Sequence, residues 1–177
     1  MSSFKDRIIK SALLDANIYE EIEADKEAMG QAAIVVILSS VAAGIGAIGT
    51  NGIAGLVFAT VAALIGWLVW ALLTFYIGTK LLPEPETKSD YGELLRTIGF
   101  ASSPGLIRIL GIIPWISTIV LVIGGIWMLV AMVIAVRQAL DYKSTLRAVG
   151  VCVVGWIIQF LVILLLFWIF GVPLNSV

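Results

Sequence analysis

The chain alternates long apolar stretches with short charged ones. Four apolar stretches are each long enough, at about 1.5 Å per helical residue, to cross a hydrocarbon core of about 30 Å. They cover residues 31–48, 53–77, 116–136 and 148–170, which we number spans 1, 2, 4 and 5. A further stretch, residues 94–113, is mostly apolar but is interrupted in its middle. The pattern predicts an all-α, polytopic membrane protein.

The interrupted stretch contains the sequence Ser102-Ser103-Pro104-Gly105. Proline lacks an amide hydrogen and clashes with the preceding helical turn, and glycine adds backbone freedom, so a helix there should kink or break. A serine hydroxyl could bond a backbone group that the break releases. Residues 94–113 are therefore predicted either to cross the membrane as a broken span 3 or to dip in and return as a hairpin.

The charged residues favour a crossing, because Lys and Arg near the ends of spans stay on the cytoplasmic side. Cations precede span 1 (Lys5, Arg7, Lys10, Lys26), separate spans 2 and 3 (Lys80, Lys88, Arg96) and separate spans 4 and 5 (Arg137, Lys143, Arg147). The segments 49–52 and 171–177 carry no charge. Only a crossing by residues 94–113 puts every charged segment on one side. We therefore predict five transmembrane helices, with the N-terminus inside and the C-terminus outside.

Residues 1–29 form a predicted N-terminal region ahead of a membrane domain of residues 30–177. The apolar face of its first part consists of Phe4, Ile8, Ile9, Leu13 and Leu14. Arg7 and the two lysines beside it could meet anionic headgroups, which is typical of an interfacial amphipathic helix. Asp15 predicts the start of a second, acidic helix, which either leads into span 1 through solvent or offers a docking surface to a basic partner.

Composition limits the classes of function. The 177 residues are 60% hydrophobic and 13% charged, with a mean hydropathy of +1.08, and a soluble fold could not bury so much apolar surface. A net charge of −1 gives no basic field to attract nucleic acid. The chain has no histidine and one cysteine, Cys152, so we expect no disulfide within the chain, no metal, no cofactor and no enzyme activity.

Arg108 is the sharpest candidate residue, because an ionisable group within a membrane span is costly and usually functional. It either extends toward the outer headgroups or contacts a transport pathway or a lipid headgroup. The break at residues 102–105 also allows two interpretations. It either lines a substrate site, as broken helices do in transporters, or serves helix packing.

A second candidate site lies at the inner end of span 4. Arg137 and Asp141 are four residues apart and should pair on one helical face, with Gln138 beside them. Asp141 or Glu93 could also pair with Arg96 at the inner end of span 3. The resulting cytoplasmic cluster would either lock the helix ends or recognise a partner or headgroups.

Span 1 carries small residues four apart, as in Ser40 and Gly44 or Ala42 and Gly46. Such residues let another helix approach closely. The partner helix would belong either to the same chain or to a second copy in a homo-oligomer.

Two segments resemble the prokaryotic branch of the Yip1 family of five-span membrane proteins. They are RTIGFASSP at residues 96–104 and AVRQALD at residues 135–141. The resemblance implies five spans, a cytoplasmic N-terminus and a place in the cytoplasmic membrane of a prokaryote. Eukaryotic members bind Rab-type GTPases and act in vesicle trafficking. They carry a D-L-Y-G-P motif that this sequence lacks, so Rab binding is not carried over.

These features favour a non-enzymatic membrane protein that organises lipids or protein partners, through the N-terminal helix and the inner cluster. Membrane lipids and a cytoplasmic or membrane protein are its expected partners. The alternative is a small oligomeric channel or transporter that uses the break at residues 102–105 and Arg108.

Overall fold

The computed structural model of the chain describes residues 1–46 and 48–170, and for residues 48–51, 163 and 166–170 it describes the backbone alone. The prediction that the C-terminal tail 171–177 lies on the outer side of the membrane concerns residues beyond this range. The helices are α1 (Phe4–Ala12), α2 (Ala16–Ala24), α3 (Ala28–Gly46), α4 (Ile48–Tyr76), α5 (Tyr91–Phe100), α6 (Ser117–Ala139) and α7 (Thr145–Phe170). A π-helical turn, Ile77–Leu81, extends α4, and a 3₁₀ helix, Ser103–Ile112, follows α5. The described residues contain no β-strand.

Four helical stretches are long and apolar enough to cross a membrane. They are Ala28–Gly46, Gly52–Leu81, Ser117–Ala139 and Thr145–Val162. These are spans 1, 2, 4 and 5 of the hydropathy pattern, and the prediction of an all-α fold is confirmed for the described residues. The second stretch begins at Gly52 because that residue has φ +61° and interrupts the regular helix of α4.

The third apolar stretch is broken where the sequence predicts a break. Helix α5 ends at Phe100, and the chain continues as a 3₁₀ helix with Pro104 in its first turn, where an amide hydrogen is not needed. The hydroxyls of Ser102 and Ser103 do not repair the break. Ser102 makes no side-chain cap, and the buried hydroxyl of Ser103 has no partner among the described residues.

The broken segment runs parallel to α3 along the length of that helix. A Cβ atom at Gly99 would lie 2.7 Å from the Cβ of Ala32. One at Gly105 would collide with the hydroxyl of Ser39, and one at Gly46 would collide with the carbonyl oxygen of Arg108. These three contacts follow the same order in both segments. The small residues of span 1 thus serve packing within the chain, and Gly44 likewise lies against Leu56 of α4.

The charged connections meet at one end of the bundle, which we call the inner end. Lys143 after α6 forms an ion pair of 2.7 Å with Glu86 of the connection between α4 and α5. Arg147 donates a 2.7 Å hydrogen bond to the carbonyl of Pro83 in the same connection. Gln138 of α6 donates a 2.6 Å hydrogen bond to Glu20 of α2.

Helices α1 and α2 form a hairpin that packs lengthwise on the bundle. Ile18, Tyr19 and Ile22 are buried together with small and aromatic residues of α3, α5 and α6. The indole nitrogen of Trp127 donates a 2.7 Å hydrogen bond to the carbonyl of Ala12 at the hairpin tip. Since Trp127 lies ten residues before Arg137, which is near the inner end of α6, the tip lies about 15 Å from Arg137 along that helix.

Arg7 was expected to face headgroups, and this expectation is wrong. Its side chain is 2% exposed and forms ion pairs of 3.0 Å with Glu21 and 2.7 Å with Asp25. It also donates a 3.0 Å hydrogen bond to Gln31, so it joins α1, α2 and α3. The amphipathic pattern marked Arg7 as polar, but a polar side chain with enough partners can be buried.

The close packing of the broken segment on α3 predicts a strong effect of one methyl group. Gly99→Ala should destabilise the protein by about 1–3 kcal/mol, because the new methyl would meet the Cβ of Ala32 at 2.7 Å and its backbone at 3.2 Å. Gly125→Ala is the matched control, since a Cβ there meets nothing within 4 Å. Thermal unfolding in detergent measures both, and equal midpoints for the two variants would contradict this packing.

Candidate functional site

A groove lies between α3, α4, α6, α7 and the broken segment. Its volume is about 510 Å³, and it opens on one side. It lies between the helices that are apolar enough to cross a membrane. Of the residues predicted to carry function, Ser102 and Arg108 line it.

Three tryptophans, Trp67, Trp70 and Trp156, form the part of the groove toward the inner end. The indole nitrogen of Trp67 donates to the carbonyl of Leu95 at 2.9 Å, and that of Trp70 contacts the sulfur of Met132 at 3.2 Å. The indole nitrogens of Trp67 and Trp70 are therefore engaged, and the three rings give this part of the groove an apolar wall.

Arg108 forms the opposite part of the groove, toward the end of α3. Its side chain passes over Gly124 of α6, where a Cβ atom would lie 3.4 Å from the Cγ of Arg108. Its Nε atom is buried and has no hydrogen-bond partner among the described residues. The described lining contains no Asp or Glu, and its other polar side chains are Ser39, Ser40, Ser102 and Gln159. The groove thus carries one cation without a matching anion.

The residues predicted at the inner end do not form the expected ion pairs. Arg96 is 5% exposed, and its guanidinium donates to the backbone carbonyl of Glu23 in α2, with Nε at 3.1 Å. The expected partner Glu93 instead accepts a 2.7 Å hydrogen bond from the amide of Asp90 in the cap of α5. Arg96 therefore fastens the N-terminal hairpin to the bundle.

Arg137 and Asp141 do not pair either. Helix α6 ends at Ala139, and Asp141 has φ +53°, so the two residues do not share a helical face. Arg137 donates instead to the carbonyl of Tyr142 at 3.2 Å. Arg137, Gln138 and Asp141 nevertheless line one pocket at the inner end, where Gln138 contacts Glu20 of α2. Arg96 does not line this pocket, so the predicted cluster forms only in part.

Two residues of these sites, Gln159 and Glu23, were not singled out from the sequence, and Arg7 was assigned to headgroups. Gln159 is the one amide in the apolar run 148–170, and that contrast could have marked it. Arg7 and Glu23 lie in a charged region where each residue reads as solvated. Only the packing of α2 on α5 and α6 distinguishes them.

Glu23 has an unusual environment at the interface of α2 with the bundle. One of its carboxylate oxygens is buried without a partner among the described residues. Burial, followed by the charges of Glu93, Asp141 and Glu20, raises the pKa of Glu23 from 4.5 to about 8, and the charge of Arg96 opposes the rise. Glu21 differs, because bonds from Ser2 and Arg7 overcome burial and lower its pKa to about 2.

The raised pKa of Glu23 predicts that docking of the hairpin weakens as pH rises. Between pH 4.5 and about 8 an undocked Glu23 loses its proton while the docked one keeps it. The docked state is therefore most stable at the acidic end, and one such group changes stability by at most about 1.4 kcal/mol per pH unit. Glu23→Gln should remove this loss, as measured by thermal unfolding in detergent from pH 5 to pH 8.

The control for this experiment is Glu27→Gln, because Glu27 is exposed. The control should follow the native chain at every pH. A constant difference between the native chain and Glu23→Gln across the pH range would refute the role of Glu23.

Comparison with known proteins gives a single identification. No curated protein and no solved structure matches the chain. The model of the Yip1 domain matches residues 15–167, from the cap of α2 to the last turn of α7. The two segments that resemble this family, residues 96–104 and 135–141, lie within the match. Because it covers most of the sequence, the chain belongs to the Yip1 family.

Proposed function

We propose that this protein is a five-span, non-enzymatic membrane protein that organises membrane lipids by holding a lipid in the groove. The observation that carries the proposal is a cavity with a polar and an apolar part, open on one side, among helices apolar enough to span a membrane. Membrane lipids are the amphipathic molecules that such a cavity meets at high concentration.

The fifth crossing is supported by the positions of the helix ends. The connection from α4 to α5 and the end of α6 both lie at the inner end, where Glu86 contacts Lys143. Since α6 must therefore begin at the opposite end, the chain has to pass from one end to the other between Tyr91 and Ser117. Helix α5 contributes about 15 Å and the 3₁₀ helix about 20 Å, which together suffice for a bilayer core.

Lipid binding is better supported than partner binding at the inner face. Arg96 and Arg137, the cations proposed to recognise a partner, already donate to backbone carbonyls. Arg7 is likewise engaged by two carboxylates. The groove differs because its cation has a buried nitrogen without a partner among the described residues.

A transporter is the second candidate, because Ser102 at the break of the third span lines the groove. Broken spans form substrate sites in several transporter folds. Under this alternative, solute flux into proteoliposomes would depend on Arg108 and Pro104 while both variants remain folded. Lipid organisation without flux favours the leading proposal.

The five-span arrangement predicts opposite accessibility of two connections. Cys152 is the one cysteine of the sequence and is buried, so Cys152→Ser gives a background without a reactive thiol. Single cysteines are then introduced at Glu86 or at Trp115, which is 84% exposed. A membrane-impermeant maleimide applied to intact cells should label Trp115→Cys alone, and Glu86→Cys should react only after lysis. Labelling of both from the same side would exclude the fifth crossing.

Lipid binding predicts that the purified protein keeps about one lipid that exchanges slowly. Gentle native mass spectrometry after detergent washing should detect it. Filling the groove with Ala63→Trp should reduce its occupancy several-fold, since Ala63 lines the groove. Ile119→Trp is the control that should keep the lipid, because Ile119 of α6 is 58% exposed. Absence of retained lipid from the native chain would refute the proposal.

A further inference from the structure

We propose that the groove selects an anionic phospholipid and that the guanidinium of Arg108 binds its phosphate. This inference rests on the proposed function and adds the headgroup class. It starts from a charge without a counter-charge: Nε of Arg108 is buried without a partner among the described residues, and their lining of the groove contains no Asp or Glu. A guanidinium within a membrane is costly unless an anion accompanies it, and a ligand in the groove can supply that anion.

The guanidinium suits a phosphate by its geometry as well as its charge. Its planar fork donates several hydrogen bonds, and pairs with phosphate are often bidentate. Gly124 leaves room for the side chain to reach the groove, because a Cβ atom there would lie 3.6 Å from Nε of Arg108. The hydroxyls of Ser39 and Ser40 and the amide of Gln159 add polar groups to the same lining.

The arrangement of the groove gives the lipid a direction. Arg108 lies where its carbonyl meets Gly46, the last residue of α3, whereas Trp67 lies beside Leu95 nearer the inner end. A phosphate at Arg108 therefore places acyl chains toward the tryptophan wall. This is the orientation of a lipid from the leaflet opposite the inner end.

The absence of acidic residues from the described lining separates anionic from zwitterionic headgroups. Both classes carry a phosphate that Arg108 can bind. A zwitterionic headgroup also brings an ammonium or trimethylammonium group, which would find no carboxylate there. An anionic lipid such as phosphatidylglycerol leaves the pair neutral. The preference thus comes from the unpaired ammonium of the zwitterionic headgroup as much as from the attraction between the phosphate and Arg108.

The test is a competition between two lipids with identical acyl chains. The full chain is equilibrated in detergent with equal amounts of phosphatidylglycerol and phosphatidylcholine, and retained lipids are quantified by native mass spectrometry. We expect about a tenfold preference for phosphatidylglycerol, in line with a hydrogen-bonded charge pair. Arg108→Gln should bring the ratio close to one without abolishing lipid retention, and Arg108→Lys should keep part of the preference.

Arg147→Gln is the matched control, because it removes a guanidinium from a half-exposed site outside the groove. It should leave the ratio unchanged. A ratio that survives Arg108→Gln, or that falls equally in Arg147→Gln, overturns the inference. Unfolding midpoints of all variants show that they fold, and Gly124→Val, which crowds Arg108 but keeps its charge, gives a second route to the same loss.

The outcomes distinguish this inference from the proposed function. If the native chain retains lipid without preferring a headgroup, the headgroup assignment fails and lipid organisation stands. If it retains no lipid, both fail. Inorganic phosphate forms the last arm: if it raises the unfolding midpoint of the lipid-free native chain but not that of Arg108→Gln, and displaces the lipid, the anion is a free phosphate and the lipid assignment is wrong.

Discussion

Irregular backbone inside a membrane must be buried in protein, because lipid offers no hydrogen-bond partners to free amide and carbonyl groups. Under the proposed fifth crossing, the 3₁₀ helix after α5 places this constraint on the rest of the bundle. It requires α3 to approach within contact of its backbone, which Gly46 and Ser39 permit. It requires a gap in α6 as well, which Gly124 provides for the side chain of Arg108. The groove beside it follows from the same packing, because a broken span cannot fill the space that a regular helix would.

The inner end follows a different principle. Its arginines bind carbonyls and carboxylates of the same chain, so charge is used there to fasten helices to each other. Arg7 joins the first three helices, and Arg96 holds the carbonyl of Glu23. Because Arg96 binds this backbone carbonyl, it forms no ion pair with the carboxylates near Glu23, and their negative charges remain close together. The protein therefore has a firmly bonded polar end and, within the bundle, a cation that has no counterpart among the described residues.

Much of the fold could be predicted from the sequence, because hydropathy and helix caps are local signals. The four regular spans and the break near Pro104 follow from residue types alone, and Asp15 caps the helix that is predicted to start there. The ion pairs could not be predicted in this way. Spacing suggested that Arg137 pairs with Asp141, but the helix ends between them. Arg108 could be recognised as costly, whereas the lack of an anion around it depends on which helices surround it.

The hydrogen bond between Trp127 and Ala12 has a consequence for the order in which the protein is made. The two residues are 115 positions apart, so the hairpin leaves the ribosome long before its binding surface on α6 exists. At roughly 5–20 residues per second, that interval is about 6–23 s. During that time the α6 part of the surface that covers Ile18, Tyr19 and Ile22 is missing. The first part of the chain to be synthesised is then among the last to reach its place, and it docks once α6 is inserted.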